Sequence, residues 1–177
     1  MAFPTPAFMA GVMAVVMAAA VPAAMPSPAA AQAAGCAVTT YTDPPREVLR
    51  CPGGLSITAE RASDYRLIDR NRDGRPEAAE LKSRGLLIES PPGRGGFQIL
   101  TPHAIATVRG TTWAVDVAEA RTSVFVREGV VGVARPGAPS GVSLRAGDGV
   151  DVGPAGPLEV KRWSSERAAH LLARFGR

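Results

Sequence analysis

Past residue 35, apolar residues fall in brief runs of four to six positions rich in Val, Ile, Leu and Thr, each bounded by Gly, Pro or Asp. The predicted strands are Leu55–Glu60, Tyr65–Asp69, Leu86–Glu89, Phe97–Thr101, Ile105–Val108, Thr112–Val117, Thr122–Arg127, Val130–Ala134, Val142–Arg145, Gly149–Val152 and Leu158–Lys161. Several alternate with period two. Trp113, Val115 and Val117 share one face, Thr112, Ala114 and Asp116 the other, and Val124 with Val126 repeats the pattern. Turn signals recur at Glu128-Gly129, Arg135-Pro136-Gly137 and Asp148-Gly149. Helical periodicity is nearly absent until the end, where Ser164 is placed to cap a helix carrying Leu171, Leu172 and Phe175, with Gly176 after it. No spacer between Ala104 and Lys161 is long enough for a βαβ crossover, so the strands should be mostly antiparallel or stacked. The pattern predicts an all-β fold, a short-stranded β-sandwich or a solenoid-like wrap, with a short C-terminal α-helix.

The first 33 residues are of another kind. All 20 Lys and Arg and all 16 Asp and Glu lie beyond residue 42, whereas all 5 Met lie before residue 26. Ala7 to Val21 is an unbroken apolar run, short of the roughly 20 residues a membrane-crossing helix needs. Ala31-Gln32-Ala33 offers the small residues a signal peptidase needs, so residues 1–33 are predicted to be a signal peptide cut before Ala34. No Lys or Arg precedes Ala7, unlike most export signals, and an Ala-rich disordered or anchoring segment is the rival reading. The expected location is therefore periplasmic or secreted. The remainder divides into a 34–95 β segment, a 96–162 β domain and a 163–177 helix, with a mild boundary at Pro91 to Gly96 that does not imply separate folding units.

The two cysteines, Cys36 and Cys51, sit close together near the N-terminus and nowhere else. A disulfide between them suits an oxidising compartment and would close a loop of about 15 residues. Ala33-Ala34-Gly35-Cys36 also looks like a weak lipobox; lipidation of Cys36 would tether the chain to a membrane and leave Cys51 unpaired. The disulfide is the favoured expectation.

One stretch carries sharp chemical spacing. Asp69, Asn71, Asp73 and Glu80 occupy positions 1, 3, 5 and 12 of a calcium loop, Gly74 stands where the sharp turn falls, Arg75 would lend its carbonyl and Glu77 could act through water. Pro76 in the eighth position makes it less like a paired EF-hand than like the isolated Asp-rich loops of thrombospondin type 3 and dockerin repeats. A short turn at Glu77–Leu81 would return Glu80 to the ion. The same residues are those a β-turn wants, and Arg70, Arg72 and Arg75 oppose a cation, so weak structural Ca²⁺ and a plain turn stand level. No other cofactor is expected. His103 and His170 lack metal spacing, there is no Gly-x-Ser-x-Gly elbow, and Pro92 to Gly96 lacks the Lys-Ser/Thr of a phosphate loop. A net charge of +4 spread over both halves is not a nucleic-acid stripe.

Thr101-Pro102, then Val108-Arg109-Gly110-Thr111, then Thr122 to Val133 running through Glu128-Gly129, then Leu144, Gly147 and Val150, follow one another as in a FecR domain. The chain resembles that family, the periplasmic part of iron-dicitrate sensor and anti-sigma proteins, over about Phe97 to Val152. Ala104 replaces the Gly common two places after Thr-Pro. Arg109, in an otherwise apolar run, should pair with a carboxylate such as Asp116 or Glu128, bond carbonyls or reach the surface; architectural pairing is preferred over a ligand contact. The resemblance implies an exported, stand-alone, non-enzymatic domain that senses or binds an envelope component, without the cytoplasmic domain of an anti-sigma protein. The expected partner is an envelope protein or polysaccharide, not nucleic acid. A calcium-stabilised secreted β domain that binds polysaccharide or a partner protein is the alternative, and a periplasmic hydrolase ranks last because no nucleophile–base pair is visible.

Overall fold

The computed structural model describes Met1 and residues 35–177, so the predicted leader and its cleavage point fall, apart from Met1, outside the described residues. Thirteen strands and one helix follow: β1 Ala37–Thr42, β2 Pro45–Arg50, β3 Ser56–Glu60, β4 Asp64–Ile68, β5 Ala78–Ser90, β6 Phe97–Leu100, β7 Ile105–Val108, β8 Thr111–Ala118, β9 Arg121–Glu128, β10 Val130–Ala134, β11 Gly141–Arg145, β12 Asp148–Val152, β13 Val160–Arg162 and α1 Ser165–Ala173. The fold is all-β with a short C-terminal helix, as the pattern predicts, and the sheet curls into a half-barrel.

β5 makes the curl. Its first part pairs with β4 and, in parallel, with β6; its second part pairs antiparallel with β3 and β8. Between them Lys82, Ser83 and Arg84 are exposed, Arg84 has φ of 68°, and the β4 register slips from Asp64↔Ser83 to Tyr65↔Leu81. An extra residue at such a bulge bends the strand and re-aims it. One layer is therefore β4, β5, β6, β7, β10 and β11, and the other runs β1, β2, β3, β5, β8, β9, β12 and β13. The expected short turn at Glu77–Leu81 does not form. Ala78, Ala79 and Leu81 are buried strand residues, because the apolar side chains of this stretch find the core between the layers.

That core holds Leu49, Ile57, Leu86, Ile88, Trp113, Val115, Val124, Val126 and Val150 from one layer and Leu81, Phe97, Ile99, Val108, Val131, Val133 and Leu144 from the other. The alternate residues of the first layer meet a second apolar cluster: Leu87, Ala114 and Phe125 pack against Trp163, Leu171 and Phe175. The central strands are thus covered on both faces, which accounts for unbroken runs such as Leu86-Leu87-Ile88. Ser164 caps α1 by accepting from the Arg167 N–H at 3.2 Å. Trp163 stacks on Phe125 with ring centroids 5.1 Å apart, and the Arg167 guanidinium lies 3.6 Å above its other face. Arg174 fastens the far end of the helix, donating to Glu60 of β3 from Nε at 2.8 Å and from Nη2, and to Asp116 of β8 at 2.7 Å. The hydrogen bond to Glu60 and then that to Asp116 hold its guanidinium more firmly protonated than usual, against the opposing effect of burial.

Cys36 and Cys51 are joined, closing the base of the β1–β2 hairpin just outside the Ala37↔Arg50 pair. Cys36 sulfur so engaged has no thiol left for lipidation.

Candidate partner-binding surface

A groove of about 610 Å³ lies between the β1–β2 hairpin and the β3–β4 turn. Thr40, Tyr41 and Thr42 form one bank, Ala59 through Tyr65 the other, and Pro45, Arg46 and Glu47 close the end. The local sequence sets this shape. β1 and β2 are joined by the two residues Asp43 and Pro44, and Arg46 Nη1 locks that turn by donating to the Asp43 and Pro44 carbonyls at 3.0 and 2.9 Å. The same guanidinium lies 4.4 Å from the Tyr41 ring centroid. At the groove floor the Tyr65 hydroxyl donates to Glu47 at 3.5 Å. Burial first, and then the negative charge and hydrogen bond of Glu47, push the Tyr65 phenol above its ordinary range. Ala62, with φ of 62°, turns the chain from β3 into β4, and Ser63 ties the turn to β5 by donating to the Gly85 carbonyl at 2.8 Å. Most of the lining surface is apolar, and the lining residues Arg46, Glu47, Glu60, Arg61 and Asp64 carry both signs of charge.

The residues singled out by resemblance gather elsewhere, at the two ends of the strands. Thr101 shapes the β6–β7 turn: its hydroxyl accepts from the Ala104 N–H at 2.8 Å and meets the buried Thr122 hydroxyl of β9 at 2.9 Å. His103 Nδ1 reaches the same Thr122 oxygen at 3.3 Å. Ala104, fully buried in the core, fits without a glycine. Pro102 is exposed in that turn and Val108 is buried at the end of β7. At the other end, Gly110, with φ of 66°, and Gly129, with φ of 88°, face each other, and a Cβ on Gly129 would come 2.9 Å from the Gly110 carbonyl oxygen. Thr111 is buried beneath Gly129 while Glu128 is exposed. Arg109 does not take the expected architectural pairing. It falls in the turn after β7 and is exposed, because the strand ends at Val108, and Asp116 is taken by Arg174.

In the Asp-rich loop the carboxylates serve the backbone. Asp69 accepts from the Asp73 and Gly74 N–H groups at 3.2 and 2.8 Å, Asp73 from Arg75 N–H at 2.8 Å, and Glu77 from Arg70 N–H at 3.0 Å. Asn71 donates to Asp73 at 3.0 Å. Glu80 stands on β5, directly across from Arg66 of β4, and that ion pair holds its carboxyl below the usual range. Among the described residues no cluster of three or more His, Cys, Asp or Glu could hold a metal ion.

The groove and the Arg174 clamp escaped the sequence reading. Arg174 lies 114 positions from Glu60 and 58 from Asp116, so no local spacing signals the contact.

The fold is similar to that of two crystal structures of a candidate anti-sigma factor from Parabacteroides distasonis ATCC 8503. Each superposes with a TM-score of 0.59 over 77% of this chain and 64% of that one, at 15% and 16% sequence identity. The present chain therefore spans less than two thirds of that protein's length. Residues 45–132 match the family described as FecR protein, so this stretch is a FecR domain. The match begins at β2, so it takes in the groove residues from Pro45 to Tyr65 and the Thr101 and Gly129 turns but leaves out the Thr40–Thr42 bank. No curated protein matches the chain. Among the described residues no helix is long and apolar enough to cross a membrane.

Proposed function

We propose that the chain is an exported, non-enzymatic FecR-type domain that works in the bacterial envelope by docking a protein partner in the groove beside β1. The groove carries this reading: most of its lining surface is apolar, and all of its lining residues except Thr40, Tyr41 and Thr42 lie within the stretch that matches the FecR family. The Cys36–Cys51 disulfide and the apolar run at residues 7–21 support a location outside the cytoplasm. The candidate anti-sigma role of the structural relatives supports a task in signalling by protein contact. Within the groove the Tyr65 hydroxyl is engaged by Glu47.

The protein used as bait in envelope extract should recover one protein, and Asp64→Trp, which fills the groove from an exposed position, should abolish that recovery without changing the fold. Equal recovery by both baits would remove the groove from the reading. Intact mass of the protein taken from the envelope should correspond to a chain beginning at Ala34 with two hydrogens missing; a full-length, reduced species would remove the export.

A further inference from the structure

Among the described residues β1 is an open edge: it pairs there with β2 on one flank only, and all six of its residues are exposed. The direction of its free backbone groups follows from β2. The Pro45 carbonyl accepts from Arg61 N–H at 3.0 Å and so faces β3. Alternation along an antiparallel strand then turns Arg46, Val48 and Arg50 toward β1. These residues pair with Tyr41, Thr39 and Ala37, leaving the N–H and C=O groups of Val38, Thr40 and Thr42 on the outer flank.

Edge strands are ordinarily blunted by charge, proline or bulges. The other edges follow that rule: β4 carries Asp64 and Arg66, β11 carries Arg145 and β13 carries Lys161 and Arg162. β1, Ala-Val-Thr-Thr-Tyr-Thr, has no charge and no proline, is regular over its whole pairing with β2, and is pinned at its base by the disulfide. It carries none of the usual edge protections.

We infer that β1 pairs antiparallel with β1 of a second copy of this chain, joining two domains through one continuous sheet. A two-fold axis at Thr40 sets Thr40 opposite Thr40, Val38 opposite Thr42 and Thr39 opposite Tyr41. Each outward backbone group then meets an outward group. The side-chain pairs are hydroxyl with hydroxyl and aromatic with β-branched, both favourable across strands. Charge makes a second copy the fitting occupant. A strand without charge meets its own copy without repulsion, and the nearest like charges, Arg46 and Glu47 on β2, would be about three strand spacings, roughly 14 Å, from their counterparts. That exceeds the screening length of about 8 Å at physiological salt. Self-association uses the outer flank of β1, whereas the opposite groove bank, Arg61 to Tyr65, lies off that strand, so changes there separate the two.

Sedimentation velocity of the oxidised protein over a wide concentration range tests this. The wild type should show a reversible monomer–dimer equilibrium. Thr40→Pro removes an N–H that points away from β2, and Thr40→Lys sets two ammonium groups face to face. Each should weaken dimerisation at least tenfold while circular dichroism and Tm stay within error of the wild type. Asp64→Trp, on the groove bank away from β1, should leave the dimer intact. Tyr41→Pro, which removes an N–H bonded to β2, should instead lower Tm. A wild type that stays monomeric at the highest concentration, or a dimer that both Thr40 variants leave unchanged, would overturn the inference.

Discussion

Phe175→Ala probes how the helix layer is bound to the sheet. Phe175 is only 2% exposed and seats over Gly85 of β5, where a Cβ would stand 2.8 Å from the ring's Cζ. Around it lie Leu171, Leu87, Ala114 and Phe125, and the neighbouring Arg174 is held to Glu60 and Asp116. Truncating a buried Phe to Ala in a packed site costs about 3–5 kcal/mol. For a domain of this length that is a fall in Tm of the order of 10 °C. The strands that carry the second cluster, β5, β8 and β9, also carry the central core, so undocking α1 strips one face of the sheet that holds the domain together. Urea unfolding should therefore remain a single transition. In a Trp113→Phe background, emission from Trp163 in the helix layer and far-ultraviolet circular dichroism from the strands should give the same midpoint, lowered together by Phe175→Ala. A loss below about 1 kcal/mol, or an early Trp163 transition that leaves the strand signal untouched, would refute the reasoning that the two layers fold as one.

Further outcomes follow from the same geometry. Gly129→Ala, forced to keep a φ of 88° with its Cβ against Thr111 and the Gly110 carbonyl, should destabilise by about 1–3 kcal/mol in chemical denaturation; an unchanged midpoint would deny the glycine its backbone role. Reduction of Cys36–Cys51 should cost about 3 kcal/mol, since the crosslink closes a 15-residue separation, and equal stability with and without reductant would contradict this. In a Tyr41→Phe background the phenolate absorbance of Tyr65 should rise only well above the free-tyrosine pKa of about 10. The folded state holds this proton more tightly than the unfolded one, so Tyr65's contribution to stability is full below about pH 10 and is lost as pH climbs toward the folded value. Titration of Tyr65 at the free value while the protein is folded would contradict the buried Glu47 contact. Millimolar Ca²⁺ should leave Tm unmoved, because the Asp69 and Asp73 carboxylates accept backbone N–H groups and Glu80 is held by Arg66; a rise of several degrees abolished by Asp73→Ala would show an ion-binding loop.

Much of the fold was legible because its central strands alternate. Trp113, Val115 and Val117 do line the core, and their alternates Ala114 and Asp116 face the helix layer, Ala114 as apolar cover and Asp116 as partner to Arg174. Ser164 caps the helix the sequence predicts. What stayed hidden has physical causes. β1 is exposed throughout and β2 opens with a proline and carries three charges, so neither shows the half-buried period that marks a strand. The first part of β5 is masked by the Lys82-Ser83-Arg84 bulge, which breaks the alternation. Arg109 falls between the predicted strands Ile105–Val108 and Thr112–Val117, where Gly110 with its positive φ turns the chain and leaves it at the surface. The groove could not be read at all, since its banks are brought together by sheet curvature, which short-range pattern does not encode.

The most direct test of the docking account is photo-crosslinking in living cells. A photoreactive residue replacing Arg61, exposed on the groove bank, should give one discrete adduct with an envelope protein, and the same residue replacing Glu119, exposed in the β8–β9 turn outside the groove, should give none. Adducts of equal yield from both positions, or an adduct from Glu119 alone, would contradict the account.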